Sequence, residues 1–358
     1  MKSICIEAPA RICLFGDHQD YLGLPVIACA INRHIRLNAT LNNTSVFNIQ
    51  MPDICAQRQI PVDEPFDSLE DRDYLGSALR VVRRYGCNPN QGFDITIKSN
   101  IPINAGVSSS SALVVAWVQF LLEAFGCNRE ITPQFIAELA FEGEVLEHNA
   151  PGGRMDMYTI AIGQILYIDT SKNVAFEIIK NPFHELILVE SGVPKNTIQL
   201  LSKVKSNVEK ALDHIRSSHS DFNIKNVTIK DFNQLSLMLP DELKPYFYAA
   251  LKNHEITQNA YLEFKKEAAD LKVLGFLMTE HNNILKHQLK VTVPKVDHLI
   301  NIALEAGALG AKIVGSGGGG SIVVIAPHQK STLITNALLE AGAKTAYSVS
   351  VTKGVHRI

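Results

Sequence analysis

The segment I-P-I-N-A-G-V-S-S-S-S-A, residues 101–112, constrains this chain more than any other stretch. The alternating run G-F-D-I-T-I-K-S-N-I reads as a strand that leads into it. Gly106 permits a tight turn, and four serines then open a strongly apolar helix that stops at Gly126. Backbone N–H groups at such a turn, together with the dipole of the helix that follows, make an anion site suited to phosphate. No G-K-[ST] follows, so the segment is not a Walker loop. A serine N-cap accounts for one hydroxyl, and the remaining three call for another reason.

Two further segments stand out. V-G-S-G-G-G-G-S precedes the apolar run I-V-V-I-A-P near the C-terminus. Consecutive glycines give up much backbone entropy, and the usual compensation is close approach of the backbone to a ligand or another segment. Near the N-terminus, A-P-A-R-I-C-L-F-G-D-H-Q-D-Y-L-G places Arg11 in the middle of an apolar strand and crowds Asp17, His18 and Asp20 into one turn. A solvated turn explains any one of those polar residues, but a charged side chain in an apolar strand needs a carboxylate partner.

The organisation around these segments reads as α+β. The first forty residues are β structure, with I-C-I-E-A-P-A-R-I-C-L-F, P-V-I-A-C-A-I and H-I-R-L-N-A-T-L-N separated by turns. Helices are expected at Asp73–Tyr85 and from Pro133 to about Asn149, and strands at Q-I-L-Y-I-D-T and L-I-L-V-E-S. A polar, amphipathic stretch from Lys195 to about His287 has helical character, and a helix, the glycine loop and a buried strand follow it. With 358 residues the chain is long for one core. Two lobes are expected, at residues 1–175 and 176–358.

A formal charge of −2 and an isoelectric point of 6.6 argue against nucleic acid as a main partner, but not against a single nucleotide. No apolar run is long enough to span a membrane, and the first residues are not a signal peptide. Cys5, Cys13, Cys29, Cys55, Cys87 and Cys127 offer no C-x-x-C pair and sit mostly among apolar neighbours, so a reducing cytoplasm is the simplest setting. The other histidines, His281 and His287 among them, show no ligand spacing.

In order and spacing the three segments resemble the GHMP kinases, and among them the galactokinase-like sugar kinases. Arg11, Gly16, His18, Asp20 and Tyr21 coincide with the galactokinase signature G-R-x-N-L-I-G-E-H-x-D-Y. Pro102, Gly106, Ser108, Ser109 and Ser110 match the P-x-x-x-G-L-S-S-S-A loop, and Gly317–Gly320 resemble the third motif of the family. Glu144, Pro151, Gly153, Met155 and Asp156 match a fourth, E-x(6)-P-x-G-x-M-D. The resemblance implies an N-terminal lobe like ribosomal protein S5 domain 2, a ferredoxin-like C-terminal lobe, and an active site between them.

It also implies roles. Asp156 would be the catalytic carboxylate at the acceptor hydroxyl, as base or orienter, with Arg11 holding it ionised. Gly106, Val107, Ser108, Ser109 and Ser110, with Gly317 and Gly318, would bind ATP, and Ser110 and Glu144 would bind Mg²⁺. Asp17, His18, Asp20 and Gly153 match sugar-contacting positions, with Arg154 beside them as a possible clamp for an acidic sugar. The implied partners are a monosaccharide phosphorylated at a hydroxyl, the anomeric C1 hydroxyl first, and ATP, on a monomer or homodimer.

The departures matter. Galactokinases carry Glu where this chain has Asp17, often Thr where it has Gln19, and an apolar residue where it has Arg154. L-V-E-S-G-V-P-K-N-T-I-Q-L-L resembles mevalonate kinases better. Mevalonate is therefore the first alternative acceptor, and a sugar sensor without turnover the second.

Overall fold

In the computed structural model residues 3–195 and 197–358 are described, and Asn196 of the V-P-K-N-T segment lies outside them. The first lobe is organised on two long strands, β1 (Ser3–Phe15) and β2 (Val26–Leu41), paired antiparallel along nearly their whole length. Each crosses the core, and from Ala8 to Phe15 every residue of β1 is buried. The two runs expected as separate strands after Gly23 are one strand, β2. Its first part, Val26–Cys29, pairs with Ile165–Ile168, and its second part, Ile35–Leu41, pairs with Phe93–Ser99.

The chain continues through the hairpin β3 (Val46–Met51) and β4 (Ala56–Pro61), helix α1 (Tyr74–Arg84) and β5 (Phe93–Ser99). Helices α2 (Ser109–Phe125), α3 (Pro133–Phe141) and α4 (Met155–Ile162) follow, then β6 (Ile165–Asp169) and β7 (Ala175–Ile179). Asp73 caps α1 by accepting from the Gly76 N–H, and Thr132 caps α3 through Phe135, with Pro133 at its first turn. Helix α2 has no polar face: Trp117, Phe120 and Leu121 are fully buried, and Trp117 and Phe120 pack edge-to-face on Phe47 of β3.

The second lobe is a four-stranded antiparallel sheet in the order β11-β8-β10-β9, made of β8 (Leu186–Glu190), β9 (Gly310–Ile313), β10 (Ser321–Ile325) and β11 (Thr345–Val349). Helices α5 (Thr197–Ser218), α6 (Phe232–Leu235), α7 (Lys244–Phe264), α8 (Leu271–His287), α9 (Pro294–Glu305) and α10 (Ser331–Glu340) complete it. The division expected at 175/176 passes through β7, which belongs to the larger sheet. The chain end also returns there: β12 (His356–Arg357) pairs with Ile6 and Glu7 of β1.

A fully buried ion pair ties the lobes. Lys312 of β9 is fully buried, with its Nζ 2.6 Å from Asp17 Oδ2 and 2.9 Å from the Cys13 carbonyl it donates to. Asp17 Oδ1 accepts from the Gly315 N–H at 3.0 Å. Burial by itself would raise the Asp17 carboxyl; the Lys312 ammonium overrides it and holds the group below its usual range. The pair therefore stabilises the fold above the ordinary carboxylate range, and that contribution fades as pH falls through the depressed value. Lys312→Met, which leaves Asp17 buried without its cation, is expected to cost about 3–5 kcal/mol in urea unfolding, and Asp17→Asn/Lys312→Met much less. Equal losses for the single and double variants would show that the pair is not the source.

Candidate active site

The motifs converge on one cleft of about 760 Å³ between the lobes. Arg11, near the middle of β1, meets Asp156 in the first turn of α4 through two parallel bonds, Nε to Oδ1 and Nη2 to Oδ2, each 2.7 Å. This is the carboxylate that the buried charge on β1 required. The remaining amino group of Arg11 donates to the Gly106 carbonyl at 2.7 Å, so one guanidinium fixes both the carboxylate and the Gly/Ser turn. The Asp156 side chain keeps 23% of its surface open to the cleft. Burial acts to raise its carboxyl, but Arg11 outweighs that and holds it below the usual range, aided by the Ser108 hydroxyl 2.5 Å away.

Ser108 takes a left-handed conformation, φ 61°, and spends its hydroxyl on Asp156 rather than on capping α2. The N–H groups that open α2 therefore face the cleft without a side-chain cap, beside the hydroxyls of Ser109, Ser110 and Ser111. Val107 stands apart: its side chain is buried in the core and its carbonyl accepts from the Arg11 N–H.

Glu144 reaches the same end of the cleft from a single π-helical turn, Glu142–Leu146, that follows α3. Burial pushes its carboxyl up to about 7, partly offset by the hydroxyls of Ser110 and Ser111. Its Oε2 is buried with no hydrogen-bond partner. A buried, unpartnered carboxylate oxygen beside serine hydroxyls is an all-oxygen donor set of the kind a hard cation such as Mg²⁺ takes.

At the other end, Asp20 accepts from the Tyr21 N–H at 2.9 Å and is pushed up to about 6, by burial first and by the Asp156 charge second. Gly153 makes its space: a Cβ there would stand 2.2 Å from Asp20 Oδ2. His18 lines the cleft with its Nε2 3.1 Å from the Ser316 carbonyl; burial lowers its imidazole to about 4, so the ring is neutral and donates to that carbonyl.

Asp17 lines the cleft and is at the same time held by Lys312 and Gly315, so its carboxylate also serves the lobe junction. Two expectations are corrected. Arg154 does not line the cleft; its Nε is 3.3 Å from Glu138 and its guanidinium 4.3 Å from the Phe141 ring centre. Gly317 and Gly318 pack on Val291, whose carbonyl accepts from the Gly318 N–H at 2.7 Å, and it is Gly315 and Ser316 that face the cleft.

Lys195 is the site residue that sequence reasoning missed. Its ammonium enters between Gly106 and Gly315, 2.9 Å from where a Cβ on either would be. Burial lowers it to about 7, with Arg11 adding to the effect and Asp156 opposing it. The one local signal was its place just after the buried strand β8, behind V-P.

Comparison with known proteins places the chain in a family. Sequence families described as GHMP kinases N terminal domain and GHMP kinases C terminal match residues 73–164 and 263–344, and the Galactokinase galactose-binding signature matches residues 2–40. A mevalonate kinase of Thermococcus sibiricus is 28% identical over 97% of this chain and 96% of its own. A galactokinase of Haemophilus influenzae is 26% identical over 96% of this chain and 91% of its own. The crystal structure of Lactococcus lactis galactokinase complexed with galactose superposes with a TM-score of 0.89 at 20% identity, covering 99% of this chain and 95% of that one. In fold and in sequence the chain belongs to the GHMP kinase family, ATP-dependent phosphotransferases that act on sugars and other small metabolites.

Proposed function

We propose that the protein phosphorylates a hydroxyl of a monosaccharide, the anomeric hydroxyl of galactose or a close relative first, at the expense of ATP. The observation that carries this reading is Asp20: a half-buried carboxyl that lines the cleft within reach of the Asp156 charge, in space cleared by Gly153. Vicinal hydroxyls satisfy such a group, whereas an acceptor with its own carboxylate meets repulsion. The match of residues 2–40 to the galactose-binding signature supports it. The mevalonate kinase relatives favour a second reading, in which Lys195, not Arg154, is the cation placed to meet an acceptor carboxylate.

In the mechanism, Asp156 stays ionised because Arg11 neutralises it, and it accepts the proton of the acceptor hydroxyl as that oxygen attacks the γ-phosphorus and ADP leaves. The N–H groups opening α2 bind phosphate, with Lys195 and Arg11 adding positive charge where negative charge builds. Ser110 and Glu144 would hold Mg²⁺, whose contribution when bound is to neutralise phosphate charge. Glu144, raised to about 7, would ligate as its carboxylate, so metal affinity is expected to rise with pH through neutrality.

Asp156→Asn keeps the shape and removes the charge. Turnover is expected to fall by about two to four orders of magnitude, with acceptor and nucleotide binding largely kept. A near-normal rate in steady-state assays would refute the role.

ADP release should be measured with ATP·Mg²⁺ against free hexoses, their N-acetylated and uronic relatives, and mevalonate. A sugar is expected to turn over and mevalonate is not; the reverse result sinks the sugar reading and leaves the kinase assignment standing. Asp20→Ala is expected to cost about 1.5–3 kcal/mol in kcat/KM for the sugar, with little change in KM for ATP. Gly153→Ala should act through Asp20, so its effect should largely vanish in the Asp20→Ala background.

A further inference from the structure

The sheet of the second lobe carries a cluster of side chains at the end remote from the cleft. His184 and Glu185 immediately precede β8, and His328 follows the end of β10 after Ala326 and Pro327. These two strands are hydrogen-bonded neighbours at the centre of the sheet, with Ile187 paired to Val324, so their ends bring the three residues together on a rigid base. One ligand atom from each of the three lies within 4.8 Å of the other two. The imidazoles of His184 and His328 stand with ring centres 3.9 Å apart, and His328 Nδ1 is 3.4 Å from Glu185 Oε1.

The two histidines are exposed, so an ion and its waters have free access.

We propose that His184, Glu185 and His328 form a binding site for a borderline divalent transition ion of the Zn²⁺ class, which clamps the ends of β8 and β10. Two imidazoles and one carboxylate select such ions over Mg²⁺ and Ca²⁺, which take oxygen ligands. The site is separate from the cleft: β8 enters the active-site region at its other end, through Ser191 and on to Lys195. At about 3.3 Å per residue, the strand alone sets the two roughly 15 Å apart.

The test is titration of metal-free protein with Co²⁺ alone, followed by visible absorption, with the thermal midpoint recorded in parallel. The expected result is a single saturable equivalent with nitrogen- and oxygen-ligated bands, displaced by Zn²⁺ and not by Mg²⁺, and a raised midpoint. His184→Ala and His328→Ala are each expected to weaken binding at least about tenfold. Glu185→Gln, which keeps the shape, should weaken it in the same direction. All three variants should keep the metal-free thermal midpoint and the Mg²⁺·ATP-dependent activity of the parent protein. Undiminished Co²⁺ binding in His184→Ala/His328→Ala would overturn the proposal, as would absence of saturable binding in the parent. A sulfur-to-metal charge-transfer band would also overturn it, by placing the ion on an exposed thiol such as Cys55.

Discussion

The bidentate bond between Arg11 and Asp156 is the constraint on which the rest of the site depends. A guanidinium in the middle of a buried strand is tolerable only if its charge and its donors are matched there. Asp156 matches the charge, and the Gly106 carbonyl takes the remaining amino group. The same demand that makes β1 foldable therefore sets α4, β1 and the Gly/Ser turn in mutual register. Ser108 closes the arrangement by turning its hydroxyl onto Asp156, which leaves the start of α2 uncapped. The uncapped helix end on which the proposed phosphate site rests is a consequence of where its capping residue was used.

Around this pair the titratable groups spread apart. Asp156 is held ionised by direct contact with a cation, while Asp20 and Glu144, with no cation in contact, are raised to about 6 and about 7. Lys195 is lowered to about 7 by burial beside Arg11. Before any ligand arrives, the cleft thus carries one firmly charged pair and three groups close to their titration points. Incoming phosphate favours the charged form of Lys195, an incoming cation favours that of Glu144, and hydroxyl donors favour that of Asp20. The protonation of each group therefore responds to what enters the cleft, and under the proposed function those entrants are a polyol, a metal and a nucleotide.

Much of this was legible in the sequence wherever a local rule forced the outcome. The G-x-S-S-S turn, the apolar helix behind it and the need of Arg11 for a carboxylate follow from short-range patterns and burial. What was not legible depends on long-range packing. Lys195 sits in a stretch whose polarity says solvent, and only the paired glycines at 106 and 315 make room for it. Asp17 and Arg154 lie within motifs that face the cleft, yet Lys312 captures one and Glu138 with Phe141 the other. The glycine run was rightly read as a close backbone approach, but its neighbour at Gly317 is Val291 of the same lobe. Strand β12 has no signal of its own, since two residues pair with β1 only because the chain end is brought there.

The division of labour between the lobes bears on how acceptor choice can change within such a frame. The groups assigned above to the proposed acceptor side, Asp20 and Gly153, hang from the first lobe, in the turn after β1 and the loop before α4. The second lobe contributes Gly315, Ser316 and Lys195, and it is fastened by Asp17 to Lys312 and by His18 to Ser316. Those fastenings leave from the same turn that carries Asp20. A substitution in that turn therefore acts twice, on the acceptor pocket and on the seating of the second lobe against it. Residues free of the junction, such as Asp20, can vary with the acceptor. Asp17 has to remain a carboxylate, because loss of its charge strands the buried Lys312. The turn after β1 is thus read in two ways by the fold, and only the half that does not hold the lobes together is available for specificity.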